Sequence, residues 1–335
     1  LIKIGVIVCN NGLGHCKRVL HILKRYCDRS PNTLKASVFI DTTKLNAFPS
    51  LREYFAQKHF SVEFFHIDAE VSVYEEKFLY QCKNDLEKFD ILWSDNLIFP
   101  LKYHNKVFLT GSFLWADVYE EFTKEYELLR RKKPIMIGNK YFATDGVKNH
   151  TAFYGVGIYD YSSLRKPKRL LPNVLLSCGT TNEAKKYLSE HFPRVRNMIK
   201  RSPHHIKVFL EPQFYEDLKT EFNVSRATFD EEMFSSISAA VIRPGLGSIC
   251  EVLLKGGRIF AFGEDNNAEL EHNAKVLQRL HVGEKCHNVA EAFERALNYL
   301  DNEQQQKAHL SYLDDLDFHG INQTVEKIEE ITNAL

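Results

Sequence analysis

A short, nearly unbroken apolar run followed at once by a glycine-rich turn occurs at the start of this chain and again in its second half. Residues 2–9 (Ile-Lys-Ile-Gly-Val-Ile-Val-Cys) read as a strand covered on both faces, the kind found inside a parallel sheet. Asn10-Asn-Gly-Leu-Gly14 then turns the chain, and Val19, Leu20, Leu23, Tyr26 and Cys27 fall on one helical face. Residues 36–40 form the next strand. Strand, turn, helix and strand make one βαβ unit, which limits the fold to α/β layering.

The alternation continues. Strands are expected at 62–66, 91–93 and 107–110, and then one helix carrying Tyr119, Phe122, Tyr126 and Leu129 on a single face. Arg165-Lys-Pro-Lys-Arg169, closed by Pro172, reads as a linker. After it a second series starts at 174–178, turns at Gly179-Thr180-Thr181, and has further strands at 206–210, 239–242 and 258–262. A last helix turns Val325, Ile328 and Ile331 inward. A length of 335 residues with 44% hydrophobic side chains supplies two cores of ordinary size.

Lys plus Arg number 44 and Asp plus Glu number 44, so no excess of positive charge marks a nucleic-acid binder. Seven scattered cysteines, with no C-x-x-C pair, suit reduced thiols in a reducing compartment and give no zinc pattern. No run approaches the roughly 18 apolar residues of a membrane helix, and the first strand is too short for a secretory signal. The expected location is cytoplasmic. The N-x-[ST] matches at Asn149, Asn223 and Asn322 are then chance.

In the first turn, Gly12 and Gly14 let backbone N–H groups approach a ligand, and the helix N-terminus favours negative charge. His15 follows on the first helical turn, where a histidine can accept a proton near neutral pH. The plain alternative is a tight turn with a capping histidine. A dinucleotide fingerprint would place a third glycine at Lys17, which disfavours NAD.

The second turn, Arg243-Pro-Gly245-Leu-Gly247-Ser248-Ile-Cys-Glu251, follows a strand and opens a helix. Gly245, Gly247 and Ser248 present N–H groups suited to a diphosphate, and Glu251 lies one turn on, in reach of ribose hydroxyls. The plain alternative makes Glu251 a solvated first-turn carboxylate. After the next strand comes Glu269-Leu-Glu-His272-Asn273-Ala.

The segment from Arg243 to Leu277 resembles the carboxyl half of GT-B glycosyltransferases, especially the bacterial N-acetylglucosaminyltransferase of peptidoglycan synthesis. Gly12-x-Gly14-His15-x-x-Arg18 is similar to the G-x-G-H-x-x-R of GT-B-like proteins that include the UDP-sugar hydrolase of pseudaminic acid synthesis. The resemblance implies two Rossmann-like domains, 1–165 on the acceptor side and 166–335 on the donor side. They would face each other across a cleft that holds the donor, with the last helix free to cross back. It implies His15 as catalytic base, the Arg243–Ser248 turn on the donor diphosphate, Glu251 on the ribose, and Glu269, His272 and Asn273 near the donor sugar. Gly179, Thr180 and Thr181 stand where these families place a further phosphate-facing loop, usually Gly-Gly-Ser.

Asp95, after the strand at 91–93, has two readings: it orients His15 or an acceptor, or it caps a strand end. Trp115 reads as core or as a stacking platform. His204 and His205 read as surface residues. The basic runs at 130–133 and 165–169 are solvated, or bring the chain to an anionic membrane surface. With no D-x-D near a strand end and no cysteine–histidine ligand spacing, neither metal nor cofactor is expected. The expected activity is metal-independent transfer from a nucleotide-sugar, uridine-linked, to an unidentified acceptor. Two alternatives stay open: a hydrolase with water as acceptor, and a silent nucleotide-sugar binding protein.

Overall fold

The computed structural model describes the chain except residues 31–32, 58–60, 164–170, 180–181, 204, 222 and 264–266, and the side chains at 83–84 and 182–184. The expected linker at 165–169, Thr180, Thr181 and His204 lie outside the described residues. Two compact units emerge: Leu1–Tyr159 with His319–Leu335, and Asp160–Phe318.

The first unit runs β1 (Ile2–Val8), α1 (Leu13–Arg29), β2 (Leu34–Ile40), α2 (Pro49–Ala56), β3 (Ser61–His66), α3 (Val71–Cys82), β4 (Ile91–Asp95), β5 (Val107–Thr110), α4 (Trp115–Val118), α5 (Glu125–Lys132), β6 (Ile135–Asn139), α6 (Asp145–His150) and β7 (Ala152–Val156). Its described strands pair in parallel in the order β3-β2-β1-β4-β5-β6-β7. Ile7, Phe39, Tyr74, Phe78, Leu92 and Trp115 pack on one side of this unit. Leu109, Leu114, Leu128, Leu129, Met136 and Val147 pack in another cluster. The strand order reverses direction between β1 and β4, the place where open α/β sheets hold their ligands.

The second unit runs β8 (Asn173–Ser177), α7 (Asn182–Arg201), β9 (Lys207–Leu210), α8 (Pro212–Tyr215), β10 (Val224–Arg226), α9 (Glu231–Ser236), β11 (Ala239–Ile242), α10 (Leu246–Leu254), β12 (Arg258–Ala261), α11 (Ala268–Arg279), β13 (Gly283–Lys285), α12 (Val289–Leu300) and α13 (Glu303–Asp314). The described strands are again all parallel, in the order β10-β9-β8-β11-β12-β13. Here the reversal lies between β8 and β11. Val174, Leu176, Leu188, Val208, Val241 and Phe293 belong to its core.

The last helix, left free by the sequence to cross back, is α14 (Gly320–Asn333), and it packs against α1, β6 and β7 of the first unit. The reason is local. Gly320 N–H donates to Ile158 C=O at 2.9 Å and Gln323 Oε1 accepts from Gly157 N–H at 2.8 Å. Arg29 at the end of α1 pairs with Glu326 and Glu329, each at 3.1 Å.

The single helix expected through Tyr119, Phe122, Tyr126 and Leu129 is instead α4, a 3₁₀ turn at Glu120–Phe122, and α5. Tyr119 takes an extended backbone (φ −129°, ψ 130°) and its ring stacks on Trp115, centroids 5.9 Å apart. That stacking wins over continuous helix. β6 and β7 carry a glycine within each short run, which weakens the strand signal. At Gly138 the glycine is required, because a Cβ there would come within 2.0 Å of Gly111 C=O.

Candidate functional site

β1 ends at Val8 and β4 ends at Asp95, and the two residues are register partners. The chain leaves β1 through Gly12, whose φ of 78° and ψ of −177° lie in a region that only glycine enters readily. Among the described residues no side chain caps α1, and an α-helix leaves its first N–H groups without an intrahelical acceptor. His15 sits in the first turn of α1 and Arg18 one turn on, so both face the end of β4. Open space lies over Gly14, where a Cβ would meet nothing within 4 Å.

Asp95 is fully buried, and both its oxygens are in use. Oδ2 lies 2.7 Å from His15 Nδ1. Oδ1 accepts from Arg18 Nε at 3.1 Å, from Arg18 Nη2 at 2.7 Å and from Thr110 Oγ1 at 2.8 Å. Trp93 Nε1 donates to Thr110 Oγ1 at 2.8 Å and so fixes the hydroxyl. Burial alone would push the Asp95 carboxyl up. The Arg18 guanidinium, and after it His15, outweigh that and hold it below the ordinary carboxylate range. An ionised Asp95 only accepts, so His15 Nδ1 carries a proton and donates it, and in the neutral ring the lone pair is on Nε2. Of the two readings of Asp95, the geometry pairs it with His15.

Phe113 packs edge-on to the His15 ring at 6.2 Å between centroids, and Trp115, 3% exposed, packs edge-on to Phe113 at 5.0 Å. Trp115 is core. Asn96, next to Asp95, is 1% exposed with φ 60°, and its side-chain amide has no partner among the described residues. Its Oδ1 occupies the space that a side chain at Gly111 would need.

In the second unit, α10 starts just past β11 with Gly245 as N-cap and no side-chain cap among the described residues. The N–H groups of Leu246, Gly247 and Ser248 are those that an α-helix leaves without an intrahelical acceptor, and Ser248 is exposed. A Cβ at Gly245 would again meet nothing within 4 Å. Arg243 begins the turn, its N–H donating to Ser177 C=O at 3.3 Å. Glu251 lies one turn further into α10 and is buried, 6% exposed. Glu269 is in the first turn of α11, His272 one turn on, both half-buried. Asn273 is buried and donates through Nδ2 to Pro244 C=O at 2.9 Å, so its amide braces the glycine turn from α11.

The turn after β8 is held from the neighbouring strand. Glu211, at the end of β9, accepts through Oε1 from Ser177 Oγ at 2.6 Å, from Cys178 N–H at 2.8 Å and from Gly179 N–H at 3.1 Å. Of the loop expected to face a phosphate, the Gly179 N–H holds this carboxylate, and Thr180 and Thr181 lie outside the described residues. Glu211 and Thr110 escaped the motif reading, and Arg18 stood in the first motif without a role. Arg18 had a signal in its i+3 spacing from His15, and Glu211 had one as an acid closing an apolar strand run. Exposed Arg130, Arg131 and Lys132 end α5, followed by exposed Lys133. His205 is also exposed.

No family model matches the sequence, and no curated protein does. Solved structures do. The kitacinnamycin glycotransferase matches with a TM-score of 0.69 at 13% identity, covering 98% of each chain. Arabidopsis thaliana UGT89C1 complexed with UDP matches at 0.68 and 12%, covering 99% of this chain and 100% of that one. Acinetobacter baumannii MurG matches at 0.64 and 13%, covering 98% and 100%. Likeness at this identity shows the fold: the chain has the GT-B fold of these glycosyltransferases.

Proposed function

Taking the GT-B fold as premise, we propose that the chain transfers a sugar from a nucleotide-sugar donor, uridine-linked, to an acceptor hydroxyl. The observation that carries this reading is the buried His15–Asp95 pair at the reversal point of the first sheet, 2.7 Å apart, with Nε2 left as a base. His15 removes the acceptor proton and Asp95 holds its ring and stabilises the imidazolium that forms. In the second unit, the uncapped N-terminus of α10, with Gly245, Gly247 and Ser248, supports the departing diphosphate. Glu251 takes the ribose, and Arg243, Glu269 and His272 border the donor. The UDP reading is supported by the fold's likeness to a glycosyltransferase complexed with UDP. With helix N–H groups as the electrophile, neither a metal nor a cofactor is required.

The test is incubation with a panel of nucleotide-sugars, with and without candidate acceptors. Acceptor-dependent sugar consumption supports transfer. Rapid release of free sugar from donor alone would make the chain a hydrolase, and binding without turnover would make it a silent binder. A further part of the reading is contact with an anionic membrane through Arg130–Lys133, supported by the exposure of those four side chains. Co-sedimentation with phosphatidylserine vesicles that fails at low salt removes it. A cytoplasmic location is supported by seven free, buried cysteines.

A further inference from the structure

The Asp95 carboxylate has no contact with water and is shared by two cation-capable groups on one helix, His15 and Arg18. Three donor hydrogens converge on Oδ1, two of them from Arg18, while Oδ2 is left to His15 alone. Arg18 is itself 6% exposed, with its guanidinium carbon 6.0 Å from the centre of the Tyr159 ring. It is therefore held in place from two sides. Its Nη2 is also 3.2 Å from His15 Nδ1. With Nδ1 protonated toward Asp95, that approach sets two donors side by side on one carboxylate and puts a fixed positive charge against the imidazole.

From this arrangement we infer that Arg18 is a positioning residue that sets the pH range in which the His15–Asp95 pair works as a base. The inference rests on the reading of His15 as base. Without Arg18, a buried carboxylate faces a histidine with nothing to balance it. The pair then relieves its unbalanced charge by taking up a proton, and with Nε2 protonated the base is lost. With Arg18 present, Asp95 is already neutralised, and a second proton on the ring would meet the guanidinium. Arg18 also directs Oδ1 away from the ring, so that Oδ2 stays on Nδ1.

Other groups around the pair do not supply this balance. Cys9, at the end of β1, is pushed up to about 12 by burial and stays a neutral thiol. The Tyr74 hydroxyl, from α3, is raised well above its ordinary range by burial and donates to Val8 C=O at 2.9 Å. Asp41 and Lys44 lie beyond β2 as an opposite pair 3.9 Å apart. Thr110 is a neutral donor. Among the described residues of this unit, Arg18 is the cation on the carboxylate.

The experiment uses the full chain with ¹⁵N-labelled histidines, the His15 signals being assigned by their loss in His15→Gln. Proton uptake at the ring is followed by NMR from pH 5 to 9, without any substrate, in wild type, Arg18→Gln and Arg18→Lys. Glutamine keeps a donor to Oδ1 and removes the charge, whereas lysine keeps the charge. The expected result is an uptake midpoint about one pH unit or more higher in Arg18→Gln, with Arg18→Lys close to wild type. The acid limb of the kcat profile should move with it wherever a substrate is in hand. A folded Arg18→Gln protein with the wild-type midpoint would overturn the inference, and so would a lysine variant shifted as far as the glutamine one. If Arg18→Gln fails to fold by circular dichroism, Arg18→Met, which also removes the charge, takes its place under the same criterion. Because the titration needs no substrate, failure of the transferase reading leaves this result standing, and the reverse also holds.

Discussion

His15 and Glu251 do different work in the proposed reaction, and single substitutions separate them. Loss of a general base costs about 10²–10⁴ in rate, so His15→Ala should lower kcat by about that factor. Donor affinity should change little, because the diphosphate and ribose are assigned to the second unit and Gly12 and Gly14 are untouched. A His15→Ala protein with normal turnover would remove the base from the mechanism. Glu251, buried one turn past the glycine turn, is assigned to the ribose. Glu251→Ala should weaken nucleotide-sugar binding by about 1.5–3 kcal/mol, the range for a charged hydrogen bond. Calorimetric titration measures it, and unchanged affinity for every nucleotide that binds wild type takes Glu251 out of the site.

At the scale of the elements, the close approach of the loop after β5 to β6 rests on a missing side chain. Gly138→Ala would drive a methyl group to 2.0 Å from the Gly111 carbonyl, a contact that backbone cannot give way to cheaply. Denaturant titration should find it less stable by about 1–3 kcal/mol, and an unchanged midpoint would mean the loop is looser than described. On α13, His309 is fully buried, its Nε2 3.2 Å from Gly256 C=O. Burial lowers its pKa to about 3, against the ordinary histidine value near 6.5. Between those two pH values the unfolded chain binds a proton that the folded chain refuses. Stability should therefore fall with falling pH across that window, with a contribution of up to about 1.4 kcal/mol per pH unit from this group. His309→Gln should flatten the dependence, and an identical pH slope would show that His309 titrates freely. The secondary structure was legible where pattern and packing agreed, as in β1 and α1. It was not legible at 119–129, where helical spacing was present but an aromatic stack pulled Tyr119 out of the helix. β6 and β7 were hidden because tight packing demanded glycine where a strand signal needs bulk.

For the whole molecule, the proposed chemistry needs no bound cation, so turnover should survive exhaustive EDTA treatment. Loss of activity that Mg²⁺ or Mn²⁺ restores would replace helix N–H groups with a metal as the leaving-group support. From the sequence alone came the two parallel α/β series and both glycine turns, because burial on two faces, the positive φ at Gly12 and the open helix start at Gly245 leave local marks in residue type. His15 and Glu251 were legible for the same reason: each lies a few residues from its turn, on the helix that the turn opens. What only the tertiary structure decided is which groups meet there. Asp95 reaches His15 and Arg18 across 80 and 77 positions of chain, and Thr110 reaches Asp95, because parallel pairing of β1, β4 and β5 aligns their carboxyl ends. Glu211 fills the turn after β8 because β9 is its neighbour in the sheet. The last helix joins the first unit because Gly157 and Ile158 offer it backbone partners. Local sequence encodes which elements form, but strand order and register choose the partners, and those depend on the burial of every strand at once.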